Sequence, residues 1–139
     1  MSDPVSLRGL HHLAIQVRDL PLVERFYRDV LELGVLRRWP ARDGQAGERS
    51  VWLDTGDGSF LAIEVVADGL TAAQDRDRAT RPGLHLVALR IERAARAGWE
   101  RRFAAAGVPV EARTAFTIYV RDPEGNRVGL SHWPDEAEV

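Results

Sequence analysis

The sequence predicts an α+β fold of two tandem β-α-β-β-β modules, because strand-like segments occur twice with the same spacing. Residues 13–17 reappear 74 positions later as residues 87–91. Residues 51–63 reappear without a gap 67 positions later as residues 118–130. A repeat of this length is typical of one supersecondary unit used twice.

The first module is predicted over about residues 10–67. Branched side chains alternate over residues 11–18, which indicates a strand. Asp19 is placed as a helix N-cap, and Gly34 follows as the C-terminal stop. Between them a helix is predicted from four apolar residues at helical spacing: Leu22, Phe26, Val30 and Leu33. A polar loop at 40–48 and a Gly-Asp-Gly turn separate three further strands, at 35–39, 50–54 and 60–66.

The second module is predicted over about residues 84–133, after a polar connector at 68–83. Trp99, Phe103 and Gly107 repeat Phe26, Val30 and Gly34 at an offset of 73, which places the second helix. The predicted elements are a strand at 84–91, a helix at 92–106, and strands at 108–112, 115–121 and 127–133. A polar tail follows. The length of 139 residues suits one domain over 1–139.

Composition narrows the functional classes. The chain is 45% hydrophobic and 29% charged, with a net charge of −2 and both signs interleaved, so a basic nucleic-acid-binding face is not expected. It has no cysteine, which excludes disulfides and thiolate chemistry. No apolar run approaches the roughly 20 residues that span a bilayer, and the first residues lack a signal-peptide pattern. We therefore expect a cytoplasmic protein without membrane contact.

The two faces of the predicted strands differ in kind, since side chains alternate along a strand. One face is apolar and should pack against the helices, and His85 and His132 fall on it as packed structural histidines. The other face mixes small and polar side chains, which is typical of the lining of a small-molecule pocket. It includes His12, Ala14, Gln16, Phe60, Ala62, Glu64, Leu86, Ala88, Arg90, Arg127, Gly129 and Ser131.

Three segments resemble the vicinal oxygen chelate superfamily, which includes glyoxalase I, bleomycin resistance proteins and extradiol dioxygenases. They are residues 12–19 (HLAIQVRD), 26–31 (FYRDVL) and 122–128 (DPEGNRV). The resemblance implies that the two modules curl into one mixed sheet, a cup, with the helices on its outer face. It also implies a homodimer.

In metal-dependent members the first and fifth strands usually give His ligands, and the fourth and eighth give Glu. These positions match His12, Leu86, Ala62 and Gly129. Three of the four cannot ligate a cation, so the resemblance implies a degenerate metal site and no cofactor. The alternative keeps a divalent metal, held by His12, Glu64 and a His85 turned inward by a bulge.

The leading hypothesis is a protein that binds or turns over a small anionic organic ligand in the cup. His12 and Glu64 are the candidate general bases, since they can move protons near neutral pH. Arg90 offers an anion a bidentate fork, or else pairs with Glu64. The other predicted ligand contacts are Gln16, Phe60 and Ser131. The rival hypotheses are a metal-dependent lyase, isomerase or dioxygenase, and a drug-sequestering resistance protein.

Overall fold

The computed structural model describes residues 9–66 and 83–135, and it confirms the repeated α+β architecture. The first module contains β1 (His12–Val17), α1 (Leu20–Arg25), a π-helical turn (Phe26–Val30), β2 (Gly34–Pro40), β3 (Glu48–Asp54) and β4 (Phe60–Val65). The second contains β5 (Val87–Arg90), a 3₁₀ turn (Arg93–Ala95), α2 (Arg96–Ala105), β6 (Ala112–Arg113), β7 (Thr117–Arg121) and β8 (Arg127–Ser131). Of the predicted connector only Gly83 lies within the described residues, and the tail is described as far as Asp135.

Each module forms its own four-stranded sheet. The strand orders are β1-β4-β3-β2 and β5-β8-β7-β6, so one sheet repeats the other. Leu13 lies opposite Leu61 in the first parallel pair, and Val87 lies opposite Val128 in the second. The predicted single curled sheet is therefore two separate sheets in the described chain.

The first helix differs from its prediction. It is an α-helix only as far as Arg25 and then widens into the π-helical turn, where the Leu31 amide donates to the Phe26 carbonyl. Val23 and Tyr27 are fully buried, whereas Leu22, placed on the core face by the 3.6-residue period, is 38% exposed. A widened turn carries one more residue than an α-turn, so the helical period no longer predicts which side chains face the core.

The ends of the elements also differ in detail. Asp19 caps α1, as predicted, by accepting a hydrogen bond from the Leu22 amide at 3.1 Å. Glu32, with φ of 61°, takes the left-handed conformation that was predicted for Gly34, and Gly34 opens β2 instead. Gly107, with φ of 72°, ends α2 as predicted. Strands β5 and β6 are shorter than predicted.

One hydrophobic core joins the two modules. It combines the apolar faces of both sheets with side chains of both helices, including Val23, Phe26, Phe103, Val120 and Leu130. These side chains are at most 5% exposed. The opposite face of each sheet, called here the inner face, is consequently turned away from the core.

The turn after β7 ties the second module to the first. The Tyr27 hydroxyl donates to Asp122 Oδ2 at 2.8 Å, and both residues are buried. The Glu124 carboxylate accepts from the backbone amides of Arg18 and Asp19 at 2.6 to 2.9 Å. The Asp-Pro-Glu-Gly-Asn segment is thus a structural joint. Among the described residues, no helix has the length and apolar character needed to cross a membrane.

Candidate functional site

The inner face of the first sheet carries three cross-strand rows of side chains. Each row is given in the strand order β1, β4, β3 and β2. The first row is His12, Phe60, Asp54 and Gly34, and the second is Ala14, Ala62, Trp52 and Arg37. The third row is Gln16, Glu64, Ser50 and Trp39. Four predicted site residues therefore share one surface: His12, Gln16, Phe60 and Glu64. His12, Ala14 and Gln16 are exposed along the β1 edge.

Aromatic rings cross this surface in a continuous line of contacts, which we call the aromatic row: His12, Phe60, Trp52 and Trp39. His12 and Phe60 are parallel within 6° at a centroid distance of 4.7 Å. Phe60 and Trp52 stack at 4.5 Å, and Trp52 meets Trp39 at 5.3 Å. The Arg37 guanidinium lies 3.8 Å from the Trp39 ring centroid. The row offers flat apolar area that ends in a positive charge.

The two candidate bases do not meet. His12 lies opposite Phe60 in the parallel pair, and Glu64 is four residues further along β4. At about 3.3 Å per residue, the Cα atoms of His12 and Glu64 are about 13 Å apart or slightly more. His12 therefore belongs to the aromatic row, and Glu64 belongs to the opposite end of the sheet.

Arg90 and Ser131 lie on the inner face of the second sheet, opposite each other in register. The Ser131 hydroxyl accepts from Thr117 Oγ1 at 2.9 Å, while exposed Arg90 makes no ion pair in the described part of the chain. Glu64 likewise has no ion pair there, so the hypothetical Arg90–Glu64 pair is not formed. The predicted site residues are thus divided between two sheets.

His85 and His132 have different environments. His132 is 2% exposed and packed, as predicted, and its ring nitrogens contact Arg96 and the Asp135 carbonyl. His85 is exposed and lies 3.2 Å from Arg127 Nη1, so its predicted burial on the apolar face is wrong. Strand β5 begins only at Val87, and strand alternation therefore does not fix the direction of His85.

The described residues do not fit a divalent metal. No three His, Cys, Asp or Glu side chains converge among them. A Cβ added at Gly129 would lie 3.1 Å from Thr117 Cγ2 and 3.3 Å from Tyr119 Cε1, so any side chain at this position, including the usual Glu, would crowd these two neighbours. The alternative set fails as well, because His12 and Glu64 are separated along the first sheet and His85 contacts the second.

A cavity of about 1020 Å³ opens where β1 and β4 end and β3 begins, beneath the loop at 41–47. Gln16, Ser50 and Glu64 line it together with Arg38 and Arg42, and no residue of the second sheet does. Sequence reasoning left the conformation of this loop open and therefore did not find the cavity.

An ion-pair network supports the cavity wall. Arg38 contacts Glu24 at 2.7 and 2.9 Å and Glu48 at 3.0 Å, and Arg28 contacts Glu24 at 2.6 Å. The hydrogen bond from Arg38 lowers the pKa of Glu24 below its ordinary value, although burial of the carboxyl opposes this shift. The pKa of Arg38 rises for the reciprocal reason. Both groups are therefore held in their charged forms.

The sequence comparison identifies a family. Residues 9–130 match the family described as the Glyoxalase/Bleomycin resistance protein/Dioxygenase superfamily. No curated protein matches the chain significantly.

Solved structures share the fold at low sequence identity. A glyoxalase/dioxygenase from Nostoc punctiforme has a TM-score of 0.75 at 20% identity, over 97% of each chain. The lactoylglutathione lyase from Agrobacterium tumefaciens has a TM-score of 0.64 at 22% identity, over 96% of this chain and 100% of that one. The fosfomycin resistance protein FosX from Listeria monocytogenes has a TM-score of 0.67 at 16% identity, over 91% and 93%. The repeated modules and the family match together show that this chain belongs to the Glyoxalase/Bleomycin resistance protein/Dioxygenase superfamily.

Proposed function

We propose that the chain binds a small anionic organic ligand on its inner faces without a metal ion. The observation that carries the proposal is the aromatic row, which lies beside the exposed β1 edge and ends at Arg37. Aromatic pairs contribute about 0.5–1.5 kcal/mol beyond the area they bury. Phe60 is stacked between His12 and Trp52, so a ligand with a planar part gains stabilisation by packing against the exposed edges of these rings.

The charge preference of the proposed ligand rests on arginine. Arg37 and Arg90 are exposed, and neither makes an ion pair in the chain as described. A guanidinium group presents several donors in a plane that matches a carboxylate or phosphate. Each inner face thus has one cation that is available to an anion.

A second copy of the chain completes the cup in this proposal. Arg90 and Ser131 lie on the second sheet, and neither lines the cavity beside the first sheet. The superfamily resemblance implies dimers in which cups are completed between chains. Such pairing would place the second sheet of one chain over the aromatic row of its partner.

If the ligand is also turned over, the chemistry is proton transfer by this chain's own side chains. His12 stacks on Phe60 at the exposed edge and is the nearer base to a ligand on the aromatic row. Glu64 would be the base for a ligand that occupies the cavity. Neither role requires a metal, because a positioned base acts through its own lone pair.

A drug-sequestering protein is the second candidate, and the aromatic row favours it. Flat rings beside cations bind planar anionic compounds without needing a catalytic base. This candidate predicts tight binding with no product, whereas the enzymatic form predicts turnover. The metal-dependent lyase, isomerase or dioxygenase has no converging donor set among the described residues to support it.

The test compares three ligands by calorimetric titration: benzoate, benzamide and acetate. Benzoate supplies ring and charge, benzamide supplies the ring alone, and acetate supplies the charge alone. We expect benzoate to bind most tightly, and we expect Trp52→Ala and Arg37→Ala each to weaken it. Arg101→Ala, at an exposed position on α2, is the matched arginine control. Equal affinity for benzoate and benzamide would contradict the anion preference, and equal affinity for benzoate and acetate would contradict stacking.

A further inference from the structure

The third row of the first sheet consists of hydrogen-bonding side chains from all four strands: Gln16, Glu64, Ser50 and Trp39. Gln16 lies opposite Glu64, Glu64 lies opposite Ser50, and Ser50 lies opposite Trp39. We call this set the polar row. Neighbouring strands are about 4.8 Å apart, so adjacent members can contact one small molecule.

None of these four side chains has a hydrogen-bond partner in the described part of the chain. Ser50 is 5% exposed, and its Oγ is buried without a hydrogen bond. Trp39 Nε1 is likewise buried and unpartnered. The side chains of Gln16 and Glu64 make no hydrogen bond or ion pair. Buried polar atoms are almost always satisfied in folded proteins, so an unpartnered buried hydroxyl that lines a cavity, as Ser50 does, points to a ligand-binding role.

The buried Ser50 hydroxyl belongs to a cavity, whereas Trp39 does not line it. Ser50, Glu64 and Gln16 line the cavity of about 1020 Å³ beneath the loop at 41–47, which is large enough for a drug-sized molecule. Arg42 lines the same cavity and makes no ion pair among the described residues. The cavity lies at the opposite end of the sheet from His12.

The donors and acceptors of the polar row define the ligand chemistry. Among the members that line the cavity, the Glu64 carboxylate oxygens accept hydrogen bonds, and Ser50 and Gln16 both donate and accept them. A hydroxyl group is both a donor and an acceptor, so a chain or ring of adjacent hydroxyls satisfies every position. A carboxylate or phosphate on the same molecule would meet Arg42.

We infer that this cavity is a binding site for an anionic polyol, with Glu64, Ser50 and Gln16 contacting its hydroxyls and Arg42 contacting its anionic group. Glu64 thereby acts as a binding residue for this ligand. The inference rests on the proposed function only in that a small anionic ligand occupies the first sheet. It names the class of that ligand and locates it at the end of the sheet opposite His12.

The test is calorimetric titration of the full chain with gluconate, hexanoate and sorbitol. Gluconate has hydroxyls and charge, hexanoate has charge only, and sorbitol has hydroxyls only. We expect gluconate to bind more tightly than the other two. Ser50→Ala and Glu64→Gln should each lower the affinity for gluconate about fivefold or more. Glu92→Gln, at an exposed glutamate without a side-chain cap hydrogen bond, is the matched control and should change nothing.

Thermal unfolding separates a binding role from a structural one. Ser50→Ala removes an unpartnered buried hydroxyl, so the Tm of the ligand-free variant should be unchanged or higher. A lower Tm would mean that Ser50 has a structural partner, which would overturn the inference. Equal affinity for gluconate and hexanoate, or no effect of both variants, would overturn it as well. If benzoate binds while gluconate does not, this inference fails and the proposed function stands.

Discussion

The imidazole of His12 stacks on the ring of Phe60, with the two planes within 6° of each other. A histidine that serves as a metal ligand presents a ring nitrogen to the cation. His12 presents a ring face to Phe60, as the first member of the aromatic row, and its Nδ1 lies 2.9 Å from His11 Nδ1. His12 occupies the position at which metal-dependent members of the superfamily usually have a metal-ligating histidine, and here it packs against another aromatic ring.

We expect His12→Ala to weaken benzoate binding about 3- to 10-fold, because the variant removes one exposed ring from the aromatic row. The measurement is calorimetric titration near neutral pH. His85→Ala is the control, since exposed His85 contacts Arg127 of the second sheet and no ring of the aromatic row. An unchanged affinity in His12→Ala, or an equal loss in both variants, would contradict the role given to His12.

The Glu24 network should make stability depend on acid pH. The pKa of Glu24 is lowered in the folded state, so its contribution is complete above the ordinary value of 4.5 and is lost as pH falls through the lower folded value. Glu24→Gln should reduce the free energy of unfolding by about 2 kcal/mol at pH 7. Chemical denaturation at pH 7 and in steps below pH 5 should show that the free energies of unfolding of the variant and the wild type converge as the pH falls. If the difference in free energy of unfolding between the two proteins stayed constant at every acid pH, the stabilising role of the Glu24 ion pairs would be contradicted.

Tyr27→Phe should destabilise the joint between the modules by about 1–2 kcal/mol, because Asp122 loses one buried donor. The loss is partial, since Asp122 still accepts from Asn126 Nδ2 at 2.7 Å and from two backbone amides. Burial, and then the charge of Asp122, raise the pKa of Tyr27, so the hydroxyl stays protonated across ordinary pH. Denaturant unfolding measures the change. Tyr119→Phe is the control, because it removes a hydroxyl with no hydrogen bond in the described chain and should leave the free energy of unfolding nearly unchanged. A loss of stability equal to that of Tyr27→Phe would contradict the role given to the Tyr27 hydroxyl.

Gly129→Ala should destabilise the chain by about 1–3 kcal/mol, because the added Cβ crowds Thr117 and Tyr119. Thr117→Ser removes the Cγ2 atom at 3.1 Å and keeps the hydroxyl that donates to Ser131. The double variant should therefore be less destabilised than the sum of the two single variants. Additive effects in denaturant unfolding would show that the position has room for a side chain.

The repeat in the sequence predicted the order of the elements, and the period of two residues predicted the inner-face residues of β1, β4, β5 and β8. It failed where local geometry departs from regular periods. Leu22 of α1 is exposed while Val23 and Tyr27 are buried, and the π-helical turn interrupts the helical period after Arg25. The short β5 left the direction of His85 undetermined.

The candidate site was predicted residue by residue and not as an arrangement. His12, Phe60, Gln16 and Glu64 do share an inner face, as alternation indicated. The separation of His12 from Glu64 depends on the parallel register between β1 and β4, which no local pattern contains. The inclusion of Trp39 depends on the register shift in β2, which places it opposite Ser50.

The most direct test of the account is ligand affinity with and without metal. The protein is treated with a chelator, titrated with benzoate and gluconate, and titrated again after addition of one equivalent of Mn²⁺, Ni²⁺ or Zn²⁺. We predict the same affinity in both states, with Trp52→Ala weakening benzoate and Ser50→Ala weakening gluconate in each. Binding that appears only with the metal, and that is lost in His12→Ala, would contradict the central claim.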